Sequence, residues 1–252
     1  VFMEPKVAKE FSDDLAGTFE GIGAEIGKKN DIITIVAPLA DMPAEKAGLQ
    51  AGDQIYAING VSTAGLAIDE AVNKIRGPKG TEVTLTIFRK GFDKTKDFKI
   101  IRQTIIVKSV KTKMGDDNIF TITIANFNDD TSELFKKAAG QAIEKNPKGI
   151  ILDLRNNPGG YLETAIDVAS EWIDRGPIVT EQFSPEKKNE YAHRGRARLK
   201  DFPTVVLVNQ GSASASEIVS GALKDDGKAT IVGMKTFGKG SVQTLQELRD
   251  GS

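Results

Sequence analysis

Apolar positions come in two textures along this chain. In the first part they form short β-branched runs broken by turn residues, and beyond Thr131 they recur at helical spacing between buried-type strands. From Gly21 the runs GIGAEIG and DIITIVAPL flank a turn at Lys28–Asp31, and both read as strands. AGDQIYAING ends on Asn59-Gly60, a pair that accepts positive φ at both positions and so predicts a two-residue hairpin. GLAIDEAVNKIRG carries Ile68, Val72 and Ile75 at steps of four and three, which predicts an amphipathic helix. Val83, Leu85 and Ile87 then alternate with threonines in a further strand. About five strands and one helix in roughly 80 residues describe a small, half-open β module.

Ahead of this module, the segment through Leu15 predicts a short helix, with Pro5 tolerated in its first turn. After Phe92 the charged DKTKDFK leads into FKIIRQTIIVKSV and FTITIANFND. A helix over SELFKKAAGQAIEKN ends at Asn146-Pro147 and is followed by the strand GIILDLR, the loop NNPGG, the helix LETAIDVASEWIDRG and the strand PIVTEQF. The polar stretch SPEKKNEYAHRGRARLKD reads as a loop; TVVLVN, GSASAS, the helix EIVSGALKDDG, the strand ATIVG and GKGSVQTLQEL follow. Strands alternating with helices predict parallel crossovers and a sheet covered on both faces. The fold class is mixed α/β, with a boundary between Gly91 and Thr104: a helical segment over 1–18, the β module over 19–103 and an α/β core over 104–252.

Composition then narrows the chemistry. The 252 residues carry 34 Lys plus Arg against 35 Asp plus Glu, a balance that gives no support to nucleic acid or an anionic membrane as a partner. There is no cysteine, which excludes disulfides, thiolate nucleophiles and Cys-ligated zinc. The single histidine, His193, excludes a multi-histidine metal cluster. No apolar run reaches the roughly 18 residues that a membrane-spanning helix needs. The first residues are mixed and charged rather than signal-like, and the chain does not begin with Met, so it reads as a mature or a trimmed product. Nucleophilic catalysis here requires Ser or Thr, with either His193 or a different base.

Three segments could carry such chemistry. In VVLVNQGSASASEI a buried strand runs through a serine-rich turn into a helix, which stands a hydroxyl at the sheet edge and at a positive helix terminus. Ser214 and Glu217 also spell S-x-x-E, so a helix cap explains the serine as well as a nucleophile does. In LDLRNNPGG a second strand ends in a glycine loop whose amides could hold a developing oxyanion, or which could simply be a tight turn. Both loops leave parallel strands on the side where open α/β sheets gather ligands. In FGKGSVQ, Lys239 lies between glycines, and in an extended segment it shares one face with Gln243. Within the β module, Gly21-Ile22-Gly23-Ala24 precedes a strand as a loop able to bind a peptide's terminal carboxylate.

GIGAEIG, AEKAGLQAGDQIYAINGV, AIDEAVNKIRG and KGTEVTLTIFR together resemble a PDZ domain. GIILDLRNNPGG, NQGSASASEI and FGKGSVQ resemble the carboxy-terminal processing (tail-specific) proteases, and the match covers nearly the whole chain in that family's order. The resemblance implies a PDZ-like module with a crotonase/ClpP-like α/β protease core, a serine nucleophile at Ser214, a lysine base at Lys239 and an assisting Gln243. It implies an oxyanion hole made by the amide of Ala215 with that of Gly159 or Gly160, and no cofactor or metal. The peptide groove is expected at Gly21, Ile22, Gly23 and Ala24, with Ile68 and Val72 lining it. Arg76 is a candidate regulatory contact, against the plain alternative of a solvated arginine. The expected partners are the C-termini of protein or peptide substrates, and the resemblance leaves room for a homo-oligomer and for regulation by a partner protein. It also implies a bacterial, extracytoplasmic setting whose signal or anchor lies outside this chain.

A Ser-Lys dyad needs no histidine, which suits a chain whose one imidazole stands among basic residues. It does need a neutral lysine: a base useful near neutrality has a pKa of about 7–8 against about 10.4 for a free lysine. Burial supplies that shift, and the apolar Phe237 and Val242 are expected to provide it. An uncharged Gln243 orients the amine without favouring its charged form. Members of this family usually continue past the point where this chain stops, and ELRDGS reads as a hairpin turn with no return strand, so the core is expected to be incomplete at its C-terminal end. The rival readings are a non-peptidase relative serving as a binding or scaffold protein, and a crotonase-type enzyme acting on acyl thioesters.

Overall fold

A computed structural model describes residues 17–244, together with Met3, Pro5, Ala8, Ser12, Gln246 and Leu248. The helix expected up to Leu15 and the turn expected at ELRDGS fall, but for those residues, outside the described part. Contacts divide the chain into two units, one spanning Thr18–Ile106 and one containing the described residues from Val107 onward.

The smaller unit holds β1 (Thr18–Gly21), β2 (Ala24–Lys29), β3 (Ile32–Pro38), α1 (Pro43–Lys46), β4 (Gln54–Ile58), β5 (Val61–Ser62), α2 (Ile68–Ile75), β6 (Glu82–Phe88), β7 (Lys96–Ile101) and β8 (Gln103–Ile106). Its main sheet runs β2-β3-β4-β6-β7, with β5 paired to β4, while β1 and β8 form a separate antiparallel pair in which Thr18 faces Ile106. The Asn59-Gly60 turn forms as the dipeptide predicts, with φ of +50° and +76°, and joins β4 to β5. Period-two burial in β6 puts Val83, Leu85 and Ile87 into the core against Ile33, Ile35, Ile55 and Ile58. On α2, Ala71 and Ile75 face that core. The strand-like FKIIRQTIIVKSV breaks into β7 and β8 because Arg102 turns inward, donating to Ile75 O at 2.7 Å and Glu82 O at 3.0 Å. It thereby occupies a free carbonyl at the end of α2 and the first carbonyl of β6.

The larger unit holds β9 (Val110–Met114), β10 (Ile119–Ile124), α3 (Thr131–Lys145), β11 (Gly149–Asp153), α4 (Leu162–Ala169), β12 (Pro177–Ser184), β13 (Lys187–Ala192), β14 (Thr204–Val208), α5 (Ala215–Asp225) and β15 (Thr230–Gly233). Its sheet runs β15-β14-β11-β10-β9, with β10, β11, β14 and β15 parallel and β9 antiparallel. α3 ends on Asn146 in the left-handed conformation, as the Asn-Pro pair suggests. Phe120, Ile122, Phe127, Phe135, Leu152 and Trp172 fill the core, and the Trp172 indole N–H donates to Thr204 Oγ1 at 2.9 Å. Two sequence expectations are corrected. The polar 184–201 stretch is not wholly loop, since β13 pairs with β12 in an exposed hairpin. Its strand character rests on main-chain pairing, which leaves no hydrophobic alternation to read. The helix after NNPGG stops at Ala169 rather than near Gly176.

Candidate active site

The ends of the parallel strands β11 and β14 carry the two loops singled out in the sequence. Asn156 and Asn209 join them reciprocally: Asn156 N donates to Asn209 Oδ1 and Asn209 Nδ2 to Asn156 Oδ1, both at 2.8 Å. Of the three serines in the turn, Ser212 and Ser216 are fully buried and spend their hydroxyls on main-chain carbonyls, Ser212 on Leu154 O at 2.8 Å and Ser216 on Asn157 O at 2.9 Å. Ser214, between them, makes no side-chain cap bond. Its backbone has φ +53° and ψ −115°, a conformation L residues rarely adopt outside functional turns. Glu217 does accept the Ser214 N–H at 2.9 Å, but the serine hydroxyl is not used in the cap.

Glu217 has a larger role than a cap, and the sequence alone did not reveal it. Its carboxylate also accepts Thr236 Oγ1 at 2.7 Å, Gly238 N at 2.7 Å and Lys239 N at 2.8 Å. One side chain thus ties the Ser214 turn to the backbone of the lysine loop. Burial pushes the carboxyl upward, but the bonds from Thr236 and from the Ser214, Gly238 and Lys239 amides outweigh it and hold Glu217 below the ordinary glutamate range. The S-x-x-E spacing was visible; that the same carboxylate reaches past β15 depends on tertiary placement.

Lys239 is half-buried, and its Nζ donates to Gln243 Oε1 at 3.0 Å, so the predicted pair meets. The route differs from the expectation, because residues 235–244 form no strand. The apolar shield is corrected too: Phe237 is 71% exposed and Val242 48% exposed, so neither buries the amine. Both lie on a segment that runs off the edge strand β15, where no layer of the described unit can cover them. Among the described residues no hydrogen bond joins Ser214 Oγ to Lys239 Nζ.

The glycine loop lies against the serine. A Cβ built on Gly159 would stand 2.7 Å from Ser214 Cβ, and one on Gly160 only 2.0 Å from Phe127 O. Gly159 φ is +107° and Gly160 φ is +140°, so both positions demand glycine on conformational grounds as well. The Gly159 amide is occupied, donating to Asn157 Oδ1 at 2.9 Å. Gly160 pairs with Phe127 in an isolated parallel bridge that uses Gly159 O, which accepts Phe127 N at 2.8 Å, and Tyr161 N, which donates to Phe127 O at 2.7 Å. A bridge of this kind turns Gly160's own N–H to the opposite side. Ala215, as the first helical residue of α5, also has an amide with no intrahelical acceptor.

In the smaller unit, Gly21–Ala24 leads straight into β2, the open edge of its sheet, with α2 packed alongside. Gly23 has φ +70°, and a Cβ there would meet Met42 Cβ at 2.5 Å. The amides of Ile22 and Gly23 donate to no acceptor among the described residues. Ile22 is buried in the module's core, Val72 is half-buried, and Ile68, at the start of α2, is 38% exposed. Arg76 caps α2 and lies over the Phe19 ring at 4.6 Å, close to Gly21. His193 follows β13, with its Nδ1 buried and unbonded, and takes no part in the serine–lysine constellation. Among the described residues no group of three or more His, Asp or Glu could hold a metal ion.

A serine whose hydroxyl makes no hydrogen bond among the described residues thus stands on a strand-to-helix turn of rare backbone conformation, against a glycine loop and tied through Glu217 to the loop that carries Lys239. The chain belongs to peptidase family S41, which it matches over residues 118–252, and it carries a PDZ domain matched over 34–89. A "Probable CtpA-like serine protease" of Staphylococcus epidermidis is 45% identical over 254 residues, covering 100% of this chain and 51% of that protein. A protein of the same description from Staphylococcus aureus is 44% identical over 253 residues, covering 100% of this chain and 50% of the relative. The chain thus spans about half the length of these relatives. Among solved structures it is similar to the photosystem II D1 C-terminal processing protease, with a TM-score of 0.59, 29% identity, and coverage of 99% of this chain and 69% of that one.

Proposed function

We propose that this chain is the peptidase part of a C-terminal processing serine protease that selects proteins by their apolar tails and cuts them through a Ser-Lys dyad. The observation that carries this reading is Ser214: the middle serine alone keeps its hydroxyl unspent, on a turn held in a costly conformation. Ser214 Oγ attacks the scissile carbonyl, and Lys239 Nζ takes its proton when substrate brings the two into contact. Gln243 Oε1 orients the amine without adding charge. The same proton then goes to the leaving amine, and water attacks the acyl-enzyme with Lys239 again as base, releasing the carboxylic product.

Gly160 N and Ala215 N are the amides assigned to the developing oxyanion, because the Gly159 N–H is already committed to Asn157. The PDZ module receives the substrate's terminal carboxylate at Ile22 and Gly23 and its apolar side chains between β2 and Ile68/Val72, with the tail adding a strand to the β2 edge. An extracytoplasmic place of work, in or outside a bacterial cell envelope, belongs to the same reading and rests on the family resemblance.

The experiment follows cleavage of one unfolded protein carrying either an apolar or a charged C-terminus. The full-length enzyme is expected to cleave the apolar-tailed form at least about tenfold faster, the effect of roughly 1.4 kcal/mol of tail contact. Equal rates on both tails would remove tail recognition from the proposal while leaving the peptidase reading standing.

A further inference from the structure

Asn157 is fully buried, and its polar groups reach three separate pieces of the peptidase unit. Its Nδ2 donates to Ile124 O at 2.8 Å, at the end of β10. Its Oδ1 accepts Gly159 N at 2.9 Å, within its own loop. Its main-chain carbonyl accepts Ala213 N at 3.0 Å and Ser216 Oγ at 2.9 Å. These last two partners lie immediately before and after Ser214–Ala215, so one carbonyl brackets the nucleophile and the neighbouring amide from both sides. The side chain meanwhile draws the Gly159 N–H away from the site, and the adjacent Phe127 bridge leaves the Gly160 N–H as the loop's outward donor.

We infer that Asn157 is the positioning residue of the oxyanion hole: it sets the Gly160 amide and the Ala215 amide at their working separation. This rests on the dyad reading above. The chemistry explains why asparagine stands there, since the position needs an acceptor for Gly159 and a donor for Ile124 at the tip of one short side chain. Aspartate has the same shape but no donor when ionised. It would also place a negative charge beside the point where the carbonyl oxygen becomes anionic. Alanine offers neither group.

The test uses the full-length enzyme with a peptide substrate and a peptide aldehyde. The aldehyde carbon bonds to Ser214 Oγ and leaves its oxygen where the oxyanion would lie, so its affinity reads the hole rather than the tail groove. Asn157→Asp and Asn157→Ala are expected to lower kcat by about 10²-fold, the cost of a misplaced oxyanion donor, with KM little changed and aldehyde affinity falling in step. Ser216→Ala removes only one bond to the Asn157 carbonyl and is expected to lower kcat by about fivefold in the same pattern. The inference is overturned if folded Asn157 variants keep wild-type kcat and aldehyde affinity, or lose kcat while the aldehyde still binds normally. If both Asn157 variants fail to fold, Ser216→Ala decides, and wild-type values for it overturn the proposal. Ser214→Ala and Lys239→Ala run alongside: full cleavage by either sinks the dyad reading itself, whereas inactivity of both beside unaffected Asn157 variants sinks only this inference.

Discussion

Replacing Ser214 with alanine is expected to lower kcat by about a million-fold, and Lys239→Ala by a comparable factor, because nucleophile and base act as one unit. The double variant should be hardly worse than either single one. Lys239→Arg should not rescue, since a guanidinium stays protonated and cannot accept the serine's proton. Neither change should disturb tail binding, because the proposed groove lies wholly in Thr18–Ile106 while both residues lie beyond Val107. Peptide affinity measured on the inactive variants checks this, and a loss there would show that the two units depend on each other for binding. Progress curves on a tailed substrate, read over days, are needed to see the residual rate. Cleavage by Ser214→Ala within tenfold of wild type would exclude Ser214 as the nucleophile.

The second large effect concerns Glu217. Glu217→Gln is expected to cost about 10²-fold in kcat, the usual penalty for letting a catalytic group drift by about an ångström. Glutamine keeps one acceptor oxygen, whereas the carboxylate serves Thr236 and Gly238 on one oxygen and Ser214 and Lys239 on the other. Whichever way the amide turns, two donors lose their acceptor. The pH dependence has a definite sign. Glu217's pKa is depressed in the folded protein, so the stabilisation it gives is complete above the unfolded value of about 4.3 and disappears as pH falls through the lower folded value. Acid unfolding monitored by circular dichroism should therefore begin at higher pH in Glu217→Ala than in the wild type. Coincident acid curves, with kcat unchanged, would show that the four bonds do no positioning.

Much of this site was legible in the sequence because strand-to-helix turns announce themselves. β11 and β14 are apolar runs that stop at glycine- and serine-rich loops, and their parallel pairing puts both loops at one edge of the sheet. Hairpin chemistry at Asn59-Gly60 and the alternation in β6 were equally plain. Relations across the fold were not. That Ser212 and Ser216 are spent and Ser214 is not depends on carbonyls in another loop. That Gly159 is occupied and Gly160 turned outward depends on Asn157 and Phe127. The expected shielding of Lys239 by Phe237 and Val242 is absent for a related reason: adjacency in sequence supplies apolar neighbours, but only a covering layer turns them into a buried environment. β13 carries no legible signal, because an exposed hairpin can be held by its ladder without any hydrophobic code.

The pairing of Thr18 with Ile106 in β1 and β8 has a consequence for how specificity changes over time. The smaller unit begins and ends on two paired antiparallel strands, so its two ends at Thr18 and Ile106 lie side by side. A segment whose two ends lie side by side can be exchanged for another by joining the chain at the same pair of strand ends. On the proposed reading, substrate choice can then change through recombination at one pair of strand ends, with the residues proposed for bond cleavage left as they are.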